Sequence, residues 1–198
     1  MTGFGWLAAD PTIARTPRGI AGIWLSPDLP TRWEEFTWVR GQVLLAQPDA
    51  HPLDVLDAGT GTQAGYHILP EILATDGHRV IAVDCDDRTL NLPSSPSILR
   101  IVDDMRKFTH LRHVGVDVYT TVSVVEHLHA TERPAVWEEA FRVLRPGGTL
   151  IVTADEIPPQ ELANEIAEAN FLVGGEEAFA GKHLNPKVAW VVARRPEE

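Results

Sequence analysis

Residues 53–65 read Leu-Asp-Val-Leu-Asp-Ala-Gly-Thr-Gly-Thr-Gln-Ala-Gly, a short apolar run that ends in an acidic residue and passes into a glycine turn. A strand that feeds such a turn and then a helix is a nucleotide-type ligand site. Gly59 and Gly61 permit the φ > 0 geometry of a tight turn and let the backbone approach a ligand with no Cβ in the way. Asp57, at the carboxyl end of the strand, would repel a pyrophosphate but suits a cationic amino group, so the implied ligand carries an ammonium rather than two phosphates. A second parse of the same loop stays open. Gly59-Thr-Gly61-Thr-Gln-Ala64 also satisfies the dinucleotide pattern G-x-G-x-x-[GA], with Asp84 at the roughly 20-residue offset of a ribose-binding acid.

Beyond this segment the chain alternates strand and helix patterns, which implies a parallel sheet with helices on both faces. Strands are predicted near 53–57, 79–84, 97–102, 116–122, 148–154 and 187–194, with a sixth near 171–173 completing seven. Helices are predicted near 63–75, 131–143 and 159–169. Thr31-Arg-Trp-Glu34 forms a capping box, and Phe36, Val39, Val43 and Leu44 follow at helical spacing as far as Gln47. Residues 1–30 carry Pro, Gly and scattered aromatics without a sustained period and read as an irregular arm. Only Asp86 to Asn91 separate the second strand from Leu-Pro-Ser-Ser-Pro, so the helix between strands two and three is short or absent. Pro146, Gly147 and Gly148 stop one helix and start the fifth strand.

Composition narrows the function classes. A chain of 198 residues with 44% apolar content is one domain, too short for a cofactor domain plus a separate substrate domain, which argues against a typical dehydrogenase. A formal net charge of −11 without a basic run disfavours nucleic acid, whose affinity comes mainly from counterions released by Lys and Arg. The single cysteine, Cys85, excludes an internal disulfide and a three-cysteine iron–sulfur cluster. No apolar run approaches the roughly 18 residues of a membrane span, and no leader pattern is evident, so the expectation is a soluble, cytoplasmic protein without a membrane partner.

Three downstream segments complete a constellation with the glycine loop. They are Arg79-Val-Ile-Ala-Val-Asp84, Ile101-Val-Asp-Asp104-Met105, and Asp117 through Ser123 to Glu126-His127-Leu128, followed by Phe141-Arg-Val-Leu-Arg-Pro-Gly-Gly-Thr-Leu-Ile-Val. In order and spacing, over roughly residues 50–195, the chain resembles the class I S-adenosylmethionine-dependent methyltransferases. The resemblance implies a doubly wound, mostly parallel seven-stranded Rossmann-like sheet with an antiparallel last strand. It also implies an amino-terminal arm and cap helix (1–48) within the same domain as a cofactor-binding region (49–198). Asp57, Gly59, Thr60, Gly61, Asp84, Cys85, Asp104, Met105 and Ser123 are the positions it assigns to S-adenosylmethionine. Asp84 would accept the ribose hydroxyls, and Asp104 with Met105 would meet the adenine. The chain departs from the family pattern in two places: Gln63 stands where a third glycine is usual, and Asp103 replaces a small residue, which leaves a second register open for the adenine acid. No Asn/Asp/Ser-Pro-Pro-aromatic segment follows the fourth strand, which disfavours nucleobase amino methylation.

Methyl transfer from a sulfonium needs alignment and water exclusion more than a covalent nucleophile. An acceptor hydroxyl must still lose its proton, and His127, just past the carboxyl end of strand four, is the candidate base, with Glu126 to orient it. A wall of the adenine or methionine pocket is the alternative role for His127, and helix capping the alternative for Glu126. Trp24, Trp33, Phe36, Trp38 and Tyr66 are placed near the substrate mouth, though aromatics at helical spacing also pack helices onto sheets. His110-x-x-His113 and His127-Leu-His129 lack the converging carboxylates a metal site would need, so no metal is expected. Three readings follow: a methyltransferase acting on a small or medium-sized organic acceptor, a binding protein that holds the cofactor or its demethylated product without turnover, and a nicotinamide-dependent oxidoreductase. Oligomeric state and acceptor atom are not readable.

Overall fold

In the computed structural model, residues 29–46, 52–62, 68–92, 94–111, 115–174 and 188–197 are described. Helix α1 (Leu29–Ala46) precedes β1 (Asp54–Ala58), α2 (Leu69–Thr75), β2 (Arg79–Asp84) and β3 (Ile98–Val102). Then come β4 (Val116–Val122), α3 (Arg133–Val143), β5 (Leu144–Asp155), α4 (Pro159–Glu168), β6 (Leu172–Val173) and β7 (Val188–Arg194). The seven strands form one sheet in the order β3-β2-β1-β4-β5-β7-β6. Neighbours from β3 to β5 are parallel, and β7 is antiparallel to both β5 and β6. The doubly wound sheet with a reversed last strand is the one the sequence implied.

Side chains alternate across the sheet because a strand repeats every two residues. Leu53, Val55, Val80, Ala82, Val118 and Ile151 form one buried cluster with Phe36, Val39 and Val43 of α1 and Leu69, Ile72 and Leu73 of α2. Leu56, Val83, Tyr119, Leu150, Val152 and Val191 face the other way, onto Val136, Trp137 and Ala140 of α3 and Leu162 and Ile166 of α4. Trp38 of α1 meets Trp190 of β7 edge to face at 4.5 Å between centroids. Strands buried on both faces carry no polar alternation, which is why continuous apolar runs marked them in the sequence.

Two boundaries differ from the sequence reading. Helix α1 starts at Leu29, so Thr31 lies inside it rather than capping it; Pro30 falls in the first turn, where its missing N–H costs no intrahelical bond. Strand β5 starts at Leu144, before the Pro-Gly-Gly corner rather than after it. Leu144 pairs with Val116, the register then shifts, and Thr149 pairs with Val118, so the corner is absorbed as an irregularity of the ladder. Gly148 is required there, since a Cβ would lie 2.8 Å from the Arg145 carbonyl oxygen. Between β2 and β3 the chain makes only a 3₁₀ turn, Asp87–Asn91, whose start is capped by the Asp86 carboxylate on the Arg88 N–H, as the short connection predicted. The strand near 171–173 is β6. Residues 63–67, where the second predicted helix was to begin, and the arm of residues 1–28 lie outside the described residues.

Trp137 is fully buried between α3 and the sheet, and truncation leaves a cavity that the surrounding strands cannot close. Trp137→Ala is expected to lower the unfolding free energy by about 3–5 kcal/mol, measured by chemical denaturation.

Candidate active site

Strand order reverses between β1 and β4, so the chain leaves their carboxyl ends in opposite directions and opens a crevice there. The loop after β1 is stitched to β2: the N–H groups of Gly59 and Thr60 both donate to the Val83 carbonyl, at 2.8 and 3.0 Å. Gly59 and Gly61 take φ of 76° and 77°. A Cβ on Gly59 would come within 2.5 Å of Val124, so this glycine lets the β1 loop close against the β4 loop. Gly61 N–H donates to Asp84 Oδ2 at 2.8 Å, and Asp86 N–H to Asp84 Oδ1 at 2.9 Å. Each oxygen of Asp84 thus has one backbone donor and keeps acceptor capacity.

These loops surround a cavity of about 620 Å³. Gly59, Gly61, Asp84, Cys85, Asp104 and Met105 line it, as do Ser123 and His127. Eight sequence-derived positions therefore converge on one space. Asp57 and Thr60 are not among its lining residues, and both are buried. Asp57 accepts a 2.7 Å hydrogen bond from the Thr120 hydroxyl on the neighbouring strand. Burial pushes its pKa up to about 6, against the lowering pull of that hydroxyl and of Arg100. Strand alternation explains the placement: Asp57 shares a face with Val55, toward α1 and α2, whereas the cavity opens above the strand ends.

The Ile101–Met105 segment resolves the two acids. Asp103 is buried and spent on its own turn, accepting from the backbone N–H of Asp104, Thr109 and His110 and from the Thr109 hydroxyl. Burial raises its pKa, but those donors outweigh it and hold the carboxyl below the ordinary range. Asp104 is half-exposed and faces Arg106, which holds its pKa down and also pairs with Glu132. Burial and the neighbouring Asp84 push the Cys85 thiol up, so it remains a protonated thiol rather than a nucleophile.

Past β4, Ser123 stands at φ 51° and leads into a 3₁₀ turn, Val125–His127. His127 is exposed on the cavity side, while Glu126 is half-buried and not on the lining. Trp33 lies on α1 with its side chain outside what is described, and Tyr66 and His113 lie outside the described residues. Among the described residues no group of three or more His, Cys, Asp and Glu side chains is placed to hold a metal ion, and no helix is long and apolar enough to cross a membrane. Lining residues that sequence reasoning missed include Arg88, Arg106, Val124 and Asp155, whereas Phe36, expected near the mouth, is among the lining residues. Nothing in the local sequence marks those four.

An open α/β domain with glycine turn, ribose-type acid and apolar walls at its topological switch point defines a nucleoside-cofactor protein. Residues 56–152 match the family described as "Methyltransferase domain". A Mycolicibacterium smegmatis protein named a probable S-adenosylmethionine-dependent methyltransferase is 31% identical over 129 residues, covering 63% of this chain and 48% of that protein. This chain therefore spans about half the length of that relative. The glycopeptide N-methyltransferase MtfA, complexed with S-adenosylmethionine, superimposes with a TM-score of 0.64 at 16% identity, covering 82% of this chain and 94% of that one. The Burkholderia thailandensis 1,6-didemethyltoxoflavin-N1-methyltransferase gives a TM-score of 0.64 at 18% identity, with 85% and 83% covered. Over residues 56–152 the chain thus matches a methyltransferase domain, and its fold is shared with structures of S-adenosylmethionine-dependent methyltransferases.

The residues present fit S-adenosylmethionine. Asp84 retains acceptor capacity for ribose hydroxyls, Val83, Met105 and Leu128 offer apolar surface for a purine, and Gly59 and Gly61 admit the ligand beside bare backbone.

Two expectations test this geometry. Gly59→Ala imposes both an unfavourable φ and a 2.5 Å contact with Val124; it is expected to destabilise the fold by about 2 kcal/mol or more, read by denaturation, with only part recovered by adding Val124→Ala. Asp57 ionises near 3.8 when unfolded but at about 6 when folded. Between those values the folded state binds the extra proton, so this group's contribution to stability falls as pH rises toward 6, and the cost is fully present above. Asp57→Asn is therefore expected to be up to about 3 kcal/mol more stable than the parent at pH 8 and little different at pH 4.

Proposed function

We propose that this chain transfers the methyl group of S-adenosylmethionine to a small or medium-sized organic acceptor, and that it does so as a soluble cytoplasmic protein without nucleic acid or membrane partners. The observation that carries the reading is the meeting, in one cavity, of the glycine turn, Asp84, the Asp104-Met105 pair and the Ser123–Leu128 turn. The cofactor supplies a methyl group already activated on a sulfonium. The protein then has to hold ribose and purine, bring the acceptor atom into line and keep water out. His127, exposed on the lining at the carboxyl end of β4, takes the proton that the acceptor releases.

Charge supports a neutral or cationic acceptor. Asp84, Asp103, Asp104 and Asp155 line the cavity, while Arg88 pairs with Asp86 and Arg106 with Asp104 and Glu132. An anionic acceptor would meet a field of its own sign. A glycopeptide and a didemethyltoxoflavin, the acceptors named for the two structural neighbours, are of the size class proposed.

Calorimetric titration with S-adenosylmethionine, S-adenosylhomocysteine and NAD(H) tests the cofactor. The first two are expected to bind in the micromolar range, NAD(H) not at all, and Asp84→Ala to lose at least about 30-fold through two missing hydrogen bonds to a charged acceptor. Binding of NAD(H) alone would overturn the reading, whereas tight binding without methyl transfer across an acceptor screen would favour a protein that holds the cofactor without turnover.

A further inference from the structure

Glu35 of α1 is 1% exposed, yet it is a carboxylate. Its Oε2 accepts two hydrogen bonds, from the Ser123 hydroxyl at 2.7 Å and from the Thr153 hydroxyl at 2.8 Å. Ser123 directly follows β4 and Thr153 lies near the carboxyl end of β5, so a single oxygen ties two adjacent strands to the helix packed on them. A buried carboxylate is expensive unless it is fully engaged, and a leucine would fill the same space without that cost. What the accepting oxygen secures is the conformation of Ser123.

With φ at 51°, Ser123 occupies the left-handed region, which a residue with a Cβ adopts only when its surroundings impose it. Here its N–H donates to the Thr153 carbonyl at 2.9 Å and also lies 3.2 Å from the Thr153 hydroxyl. Its own hydroxyl is held by Glu35. The residues that follow form the cavity wall: Val124 closes against Gly59, and His127 and Leu128 face the ligand space. Phe36, next to Glu35, lines the same cavity.

We propose that Glu35 is a positioning residue, which clamps Ser123 in its left-handed turn and so couples the docking of α1 to cofactor affinity. The proposal rests on the assignment of the cavity to S-adenosylmethionine. It assigns no contact between Glu35 and the cofactor. The carboxylate acts through Ser123, and the requirement is for a hydrogen-bond acceptor at this point rather than for bulk.

The test compares four variants of the full chain by calorimetric titration with S-adenosylhomocysteine and by amide hydrogen exchange over residues 123–128 without ligand. Glu35→Leu, which keeps the volume and removes the acceptor, is expected to bind about tenfold or more weakly and to exchange faster over 123–128. Glu35→Gln keeps an accepting oxygen and is expected to stay within about threefold of the parent. Adding Ser123→Gly to Glu35→Leu is expected to recover at least part of the lost affinity, because glycine takes this φ without support. Ser123→Ala leaves the Glu35–Thr153 bond in place and is expected to weaken binding about fivefold or more even if Glu35→Leu does not fold. Parent-like binding by both Glu35→Leu and Ser123→Ala, or a loss in Glu35→Leu that Ser123→Gly fails to recover, overturns the clamp. If the parent chain itself binds no S-adenosylhomocysteine, the cofactor reading is what has failed; faster exchange over 123–128 in Glu35→Leu then still supports the clamp, and unchanged exchange rejects it.

Discussion

Two backbone N–H groups, from Gly59 and Thr60, share the carbonyl of Val83, and the rest of the site depends on that sharing. It bends the chain leaving β1 across the end of β2, which brings Gly61 within a hydrogen bond of Asp84. Strand order alone would open a crevice at this point, but it would not aim Asp84 into it. The same bend brings Gly59 against Val124, so the loops after β1, β2 and β4 hold one another in place without a side chain at the point of closest approach. Such mutual support between backbone segments is what pre-organises a ligand site before the ligand arrives.

The site's electrostatics follow from which acids are already engaged. Asp86 and Asp104 carry arginine partners, and Asp103 is consumed by the turn it closes. Asp57, which sequence logic assigned to the ligand's ammonium, is sealed beneath the turn and bonded to Thr120. Arg100 on β3, which pulls the Asp57 pKa down, pairs with Glu71 of α2 at 3.3 Å.

Much of the architecture was legible because its signals are local. Strands buried on both faces write continuous apolar runs, and the glycine turn and strand-end acids recur at the carboxyl ends of successive parallel strands. Thr31-Arg-Trp-Glu34 has every feature of a helix start, yet Pro30 lets α1 begin earlier, since a proline fits a first turn as readily as a linker. The fifth strand began early because Leu144 finds a partner in Val116 across a corner that composition alone marks as a turn. In the site, residue type placed Asp57 correctly at a strand end but not on a face, since the side on which a side chain emerges depends on the sheet's register. Glu35 was illegible for a different reason. Its two partners lie 88 and 118 residues away, and no local pattern distinguishes a carboxylate that will be buried from one that will be solvated.

Strand β3 is the outermost strand on its side of the sheet, and no full helix follows β2 to flank it. Leu99 is 58% exposed on this strand, while the Arg100 side chain beside it is only 4% exposed. Sliding β3 by one residue would exchange Leu99 and Arg100 between faces and carry Ile98, now buried, outward. Arg100 forbids the slide: it would leave Glu71 buried without its partner and carry a strand's worth of pairing out of step with β2. An inward-pointing charge on an outer strand also makes that edge a poor template for pairing with a second chain. The ion pair under β3 thus acts as a register lock and an edge guard, protecting the fold from slippage and self-association more than it strengthens it.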